Sequence, residues 1–301
     1  MCRKVVFFLC FLLLQSASAA ERVLYEKNSL YQYIVVSEDS REGIRYVHNN
    51  ERNLPQGGMR ISAPDQLAFE YYRMSLTGLI FLDTEPMDIL VIGLGAGAIP
   101  RYLNRYYPNA AIDIVEIDPE MLQVAQTYFF FRENAMMRVH INDGRIFVKR
   151  AKKKYDLVLL DAYRNGSIPF HLTTKEFLSE VKKILKPNGV VVSNILSERM
   201  NQFHDSMIVT YQDAFQHLYL FNGKESGNYA FIATEQKRGK GYRDVLEKAK
   251  RITAGKRWDV DLSLIAEECS CRYPSKEIQA DILTDDFAPV DILRNRRSKS
   301  Q

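Results

Sequence analysis

An α/β fold is predicted, a doubly wound, mainly parallel sheet preceded by a small antiparallel β domain, and three observations predict it. Five short apolar runs recur between residues 88 and 195, continuous in the way of strands buried on both faces. Stretches of helical periodicity separate them, at 98–106, 119–129, 144–152 and 174–185. The first run leads directly into Gly93-Leu94-Gly95-Ala96-Gly97, a glycine loop that opens a helix. Strands and helices in strict alternation make parallel neighbours with helical crossovers, which is a Rossmann-like arrangement.

The elements follow in order. Arg3 and Lys4, the ten apolar residues Val5 to Leu14, and Ala17-Ser18-Ala19 (or Ser18-Ala19-Ala20) read as a secretory signal over 1–20. This predicts an exported product, periplasmic or secreted, with an uncleaved membrane-anchored N-terminus as the alternative. The run is too short to span a bilayer, and no other stretch reaches 18 apolar residues. Residues 21–60 form the small β domain. Tyr31, Tyr33 and Val35 alternate with Gln32, Ile34 and Val36, a turn falls at 38–43, and Arg45-Tyr46-Val47-His48 is a second strand. Asn49 to Gly58, with Asn, Pro and two Gly, is predicted as loop. A helix is expected from Pro64-Asp65 to Phe81, carrying Leu67, Tyr71, Met74, Leu76 and Leu79 as its stripe.

The parallel strands are 88–93, 112–116, 137–141, 157–160 and 190–195, a helix is expected over 203–217, and a closing hairpin over 218–221 and 229–233. The Rossmann-like domain thus covers 61–236. Residues 237–301 read as a helical extension, Lys-rich over 237–257, with a basic tail of Arg294, Arg296, Arg297 and Lys299.

Composition sets limits. With 301 residues, 46% hydrophobic and 26% charged, the chain is neither disordered nor collagenous. The net charge is +4, and about +2 without Arg3 and Lys4. Such a balance, with the excess in a solvated tail, does not read as nucleic-acid binding. Of four Cys, Cys269 and Cys271 lie in the body. They form either a strained, reducible disulfide or two free thiols, and without a nearby His or third Cys they make no zinc site.

Certain strand ends carry chemistry. Gly93, Gly95 and Gly97 let the backbone turn and approach a ligand at a helix N-terminus. Glu116 ends the second parallel strand, 23 residues after Gly93, where an acid accepts from both ribose hydroxyls of an adenosine. Asp118, before Pro119, caps the next helix. Asn142-Asp143-Gly144 ends the third strand beside the expected adenine, so Asp143 is a helix cap, an adenine ligand, or both. Asp161 ends the fourth strand, in Leu159-Leu160-Asp161-Ala162-Tyr163, placed to orient an incoming amine or take its proton.

These segments, with Tyr155-Asp156-Leu157-Val158-Leu159-Leu160-Asp161, resemble the spermidine synthase (polyamine aminopropyltransferase) family over roughly 25–235. Ile168-Pro169-Phe170-His171-Leu172-Thr173-Thr174-Lys175-Glu176-Phe177 and the ending Leu283-Thr284-Asp285-Asp286-Phe287-Ala288-Pro289-Val290 are similar to its bacterial spermidine-synthase-like branch. The resemblance implies a fold of the S-adenosylmethionine-dependent transferase type and a donor that is S-adenosylmethionine or its decarboxylated form. It implies a small-molecule amine acceptor, no metal, and a homodimer. It further implies that Gln32 touches the donor nucleoside, that Glu116, Asp143 and Gly144 bind its ribose and adenine, and that Asp161, with Tyr163, serves the attacking amine.

The sequence departs from the family pattern at four places. Ala96 stands where the glycine loop carries Asp, Arg164 where a second Asp follows the first, Asn49-Asn50-Glu51 where the β domain has an Asp-Gly turn, and Phe69-Glu70 where a gate helix has Tyr-Gln. A cationic amine in a partly dry pocket needs opposing charge. Arg164 therefore faces an acidic acceptor, or the carboxylate of intact S-adenosylmethionine, or is an exposed loop charge. Tyr163, Glu70 and Asp285 are the weaker site candidates. The leading expectation is an aminopropyltransferase-like transferase. The alternatives are an S-adenosylmethionine-dependent methyltransferase and a non-catalytic exported nucleoside-binding module.

Overall fold

Two sheets of unequal size meet over one cavity in the computed structural model, which describes residues 21–49, 55–164, 166–270 and 278–287. The smaller is antiparallel, β1 (Glu21–Asn28), β2 (Tyr33–Asp39), β3 (Ile44–Asn49) and β4 (Pro55–Arg60), in chain order. β1 and β2 are separate strands, so Gln32 lies in the turn between them and not on a strand face. β4 corrects the loop expected over 49–58. Its Gly57 and Gly58 are strand residues because neighbours crowd them: a Cβ on Gly58 would sit 2.3 Å from the Arg45 carbonyl oxygen. Composition read these glycines as a turn when they mark close packing.

The expected 64–81 helix is also corrected. Only α1 (Glu70–Met74) is α-helical, and Ser75–Ile80 tightens into a 3-10 turn. Phe69 is still extended (φ −106°, ψ 146°), and Gly78 lies against Val192 and Leu157 of the large sheet. Packing on that sheet overrides the helical period.

The large sheet begins with β5 (Asp88–Ile92), α2 (Ala98–Tyr106), β6 (Ala111–Glu116), α3 (Pro119–Tyr128), β7 (Met137–Ile141), α4 (Gly144–Arg150) and β8 (Tyr155–Leu160). It continues through α5 (Lys175–Lys183), β9 (Leu185–Leu196), α6 (His204–Ala214), β10 (His217–Asn222) and β11 (Asn228–Thr234). α7 (Tyr242–Gly255), α8 (Leu262–Ala266) and β12 (Cys269–Ser270) complete it. The order is β12-β10-β11-β9-β8-β5-β6-β7, parallel from β9 to β7 and antiparallel elsewhere. The mainly parallel, doubly wound sheet and the small N-terminal sheet are those expected.

Helices cover both faces. Leu103 of α2, Val245 and Ala249 of α7 and Leu262 of α8 pack on one face. Phe177 and Val181 of α5 and Met207 and Tyr211 of α6 pack on the other. The segment after 236 therefore contributes to the same core, and β12 pairs with β10 at the sheet edge.

The small sheet lays Ile34, Val36, Val47 and Met59 on Met121 and Val124 of α3 and on Ala96 of the glycine loop. Fully burying each such side chain is worth roughly 1.5–3 kcal/mol. Arg45 Nη1 donates to the Tyr128 carbonyl (2.8 Å), and Tyr25 and Lys27 both reach Glu120. No helix among the described residues is long and apolar enough to cross a membrane. The signal over 1–20, the basic tail and Cys271 lie outside the described residues, while Cys269 is disulfide-bonded.

Candidate active site

A cavity of about 370 Å³ opens where β5, β6, β7 and β8 end, roofed by the small sheet and α1. Open α/β sheets collect ligands there because the strand ends leave a crevice lined by loops.

The glycine loop forms the floor. Gly93 has φ +101°, and a Cβ on it would lie 2.2 Å from the Asp161 carbonyl oxygen, so only glycine fits between the two strand ends. Gly95 has φ +52° and nothing within 4 Å of a built Cβ. It leaves open space over the cavity for a ligand. Gly97, at φ +69°, is the N-cap of α2. Ala96 is buried under the small sheet and also lines the cavity.

Glu116 ends β6 with 8% of its surface exposed. Its Oε2 accepts from the Leu94 N–H (3.0 Å) and its Oε1 from the Asp118 N–H (2.9 Å). Burial raises its pKa against these bonds. Each oxygen keeps a lone pair, an arrangement suited to a pair of vicinal hydroxyls. Asp118 caps α3 through the Glu120 N–H (3.0 Å), as expected, and also accepts from Ser29 Oγ (2.6 Å) and Gln32 Nε2 (3.4 Å). That link brings Gln32 into the cavity wall.

Asp143 caps α4, accepting from the Ile146 N–H (2.9 Å), while its other oxygen meets His171 Nε2 (2.9 Å). Both it and Gly144 line the cavity. His171, in the family-like segment 168–177, is a cavity residue that the sequence pattern alone does not single out.

Asp161 follows β8. Its Oδ1 accepts from Asn194 Nδ2 (2.8 Å), and Oδ2 carries no hydrogen bond among the described residues. Burial pushes its carboxyl up to about 6, with Asn194 pulling the other way. Asn194 Oδ1 accepts from Asn228 Nδ2 (2.7 Å), and the Asn194 carbonyl accepts from the Tyr163 hydroxyl (2.8 Å). Tyr163 thus lines the cavity with its proton committed to a backbone carbonyl, which makes it a positioning group. Asn194 and Asn228 escaped sequence reading. The available signal was the polar pair Ser193-Asn194 inside the apolar run 190–195.

Arg164 is exposed at the cavity mouth, its backbone paired with Ser167, and its guanidinium has no ion pair among the described residues. Glu70 and Asp285 stand elsewhere. Glu70 accepts from the N–H groups of Lys224 (2.9 Å), Glu225 (2.9 Å) and Ser226 (2.7 Å) and from Ser226 Oγ (2.8 Å). Burial raises its pKa, and these four bonds together outweigh it and lower the carboxyl overall. It is a clamp on the β10–β11 turn, not a ligand. Asp285 pairs bidentately with Arg145 (2.7 Å twice) and accepts from Thr174 Oγ1 (2.8 Å), which pins the C-terminal segment to α4 and α5. Both carboxylates are occupied by structural donors, and neither lines the cavity. Among the described residues no three His, Cys, Asp or Glu side chains gather as a metal site.

Residues 69–222 match the spermine/spermidine synthase domain. A polyamine aminopropyltransferase of Vibrio vulnificus (strain CMCP6) is 35% identical over 306 residues, covering 95% of this chain and 96% of the relative. The crystal structure of human methyltransferase-like protein 13 in complex with SAH superposes with a TM-score of 0.57 at 28% identity, over 64% of this chain and 96% of that one. A spermidine synthase from Thermotoga maritima superposes with a TM-score of 0.66 at 18% identity, over 84% of this chain and 85% of that one, which shows a common fold.

Proposed function

The chain belongs to the spermine/spermidine synthase family of transferases, and from that premise we propose that it moves an aminopropyl group from decarboxylated S-adenosylmethionine to an amine acceptor. The observation that carries this reading is the pair of unlike carboxylates at neighbouring strand ends. Glu116 is held by two backbone N–H groups and suits the donor ribose. Asp161 is held by one side-chain amide, with an oxygen left for the acceptor.

The reaction is a displacement. The acceptor nitrogen bonds to the carbon beside the sulfonium, that C–S bond breaks, and the nucleoside thioether leaves with the bonding electrons. The attacking nitrogen must give up a proton. Asp161 is the acceptor for it, and an elevated pKa makes that carboxylate a better base near neutrality. The sulfonium is already a good leaving group, so the protein chiefly orients the two reactants and excludes water. Gln32, Asp143 and Gly144 hold the nucleoside in this reading. No metal is required.

A second reading has one observation in its favour. The glycine loop carries Ala96, which brings no charge to the cavity wall, so the carboxylate of intact S-adenosylmethionine meets no like charge there. On that reading the product is a methylated acceptor. Calorimetric titration with each donor separates the two. Tighter binding of the decarboxylated form, with aminopropyl transfer to 1,4-diaminobutane, is expected. Tighter binding of the intact donor with methyl transfer would replace this reading, and binding of neither would return the non-catalytic alternative. Export is proposed from residues 1–20 alone, and fractionation that finds a full-length soluble product inside the cell refutes it. A homodimer is proposed from family habit, and light scattering checks it.

A further inference from the structure

β8 and β9 end as parallel neighbours, Leu160 beside Ser193, so the loops that follow leave the sheet side by side. Just after Asp161, Arg164 stands on a turn closed by its backbone pair with Ser167 (2.8 and 3.1 Å). Just after Asn194, Glu198 and Arg199 ride a turn in which the Met200 and Asn201 N–H groups donate to the Ser197 carbonyl (2.9 and 2.8 Å). Both turns line a second cavity of about 170 Å³, with Glu198 and Arg199 in its wall. It shares Tyr163, Gly166, Leu196 and Met200 with the first cavity. A free-standing site for a small molecule has roughly 300–1,000 Å³, so this is a side chamber that prolongs the Asp161 end.

Charge decides what enters it. Arg164, Glu198 and Arg199 are exposed, and none has an ion pair among the described residues. In the first cavity the described lining carboxylates are Glu116, Asp143 and Asp161. Glu116 and Asp143 are engaged by backbone N–H groups, which leaves Asp161 as the acid for the attacking amine. Beyond Asp161 stand two guanidiniums and one carboxylate. A diamine would set its second ammonium against that net positive charge, whereas a head group carrying both signs pairs with all three. We propose that the acceptor is an α-amino acid with a terminal amine. Its terminal amine meets Asp161, its α-carboxylate takes Arg164 and Arg199, and its α-ammonium takes Glu198 at the entrance to the side chamber. The inference rests on the aminopropyl reading above and names the acceptor class for it. The bond changes are the same: the terminal nitrogen bonds to the propyl carbon, the C–S bond breaks with its electrons left on sulfur, and the proton passes to Asp161.

Ornithine is 1,4-diaminobutane bearing one added carboxylate, so comparing the two on the full chain, with decarboxylated S-adenosylmethionine as donor, isolates the proposed contact. The expected kcat/KM is about tenfold higher for ornithine, the size of a hydrogen bond to a charged group. Its product should carry the new C–N bond on the terminal nitrogen, as read by NMR. An equal or higher kcat/KM for 1,4-diaminobutane overturns this inference and leaves the aminopropyl reading standing, and so does an ornithine product bonded through its α-nitrogen. In the double variant Arg164→Ala, Arg199→Ala the ratio of the two kcat/KM values should fall about tenfold toward the diamine. The ratio is unaffected by any loss of folded protein, and a ratio within threefold of wild type overturns the proposal. Glu198→Gln should weaken ornithine relative to 5-aminopentanoate, which lacks the α-ammonium, and an unchanged ratio there overturns the pairing with Glu198. Wild-type protein that transfers an aminopropyl group to none of these acceptors removes the underlying reading, and this inference with it.

Discussion

The two halves of the cavity are built by different means. The half proposed to hold the nucleoside, at the ends of β5, β6 and β7, is shaped mainly by backbone: three glycines of positive φ, a helix N-terminus, and two acids held by backbone N–H groups, with His171 on the second oxygen of Asp143. The half proposed to take the amine, at the ends of β8 and β9, is shaped by side chains. Asp161, Asn194 and Asn228 form a chain of amide and carboxyl groups separated by 33 and 34 residues in sequence. Backbone geometry tolerates change poorly but is specified locally. A side-chain relay is specified only by the whole fold, and it is where one family can vary its substrates without rebuilding the sheet.

Substitution separates the halves. Asp161→Asn should lower kcat by about 10²–10⁴-fold while the donor dissociation constant stays nearly constant. Steady-state kinetics beside calorimetry reads both, and equal losses in the two would dissolve the distinction. Glu116→Ala should do the reverse, weakening the donor by about ten- to hundredfold through two lost hydroxyl contacts, with a smaller change in the acceptor KM.

A sharper version uses pH. Asp161 accepts a proton only when ionised, and burial places its pKa at about 6. The value of kcat/KM should therefore fall as pH drops through about 6 and stay level just above it. In Asp161→Asn that acid limb should vanish, whereas in Glu116→Ala it should persist. A limb unchanged in Asp161→Asn assigns the titration to another group.

The smallest effect belongs outside the cavity. Arg145, 9% exposed, bridges Glu180 (2.9 Å) and Asp285 (2.7 Å). Those two acids hold its own charge strongly in place, their bonds outweighing the cost of burial. Arg145→Ala should cost about 2 kcal/mol, less than a fully buried pair because Asp285 is partly solvated. Thermal unfolding should fall by a few degrees, with the pH limb unaltered.

The same contrast explains what was legible in the sequence. The glycine loop, Glu116, Asp143 and Asp161 each sit at a change of period, from apolar run to helix, and that change is local. Asn194 and Asn228 are ordinary asparagines until strand order places them beside Asp161. Glu70 stands in a helical stripe near the site, and only the arrival of the 224–226 turn, over 150 residues later, reveals what its carboxylate holds. The short α1 and the strand β4 depart from the sequence pattern for a related reason. Gly57, Gly58 and Gly78 are small because other elements press against them, and composition alone cannot distinguish a residue that bends from one that makes room.

The strand order also governs how this chain leaves the ribosome. β5, first of the large sheet to be made, ends up inside it, between β6 and β8. One of its edges stays unpaired until about residue 160 has emerged, and during that interval an apolar, untemplated edge is open to neighbouring nascent chains. A product truncated after β7 would keep β6 on one side of β5 and leave its β8-facing edge without a partner, an aggregation hazard.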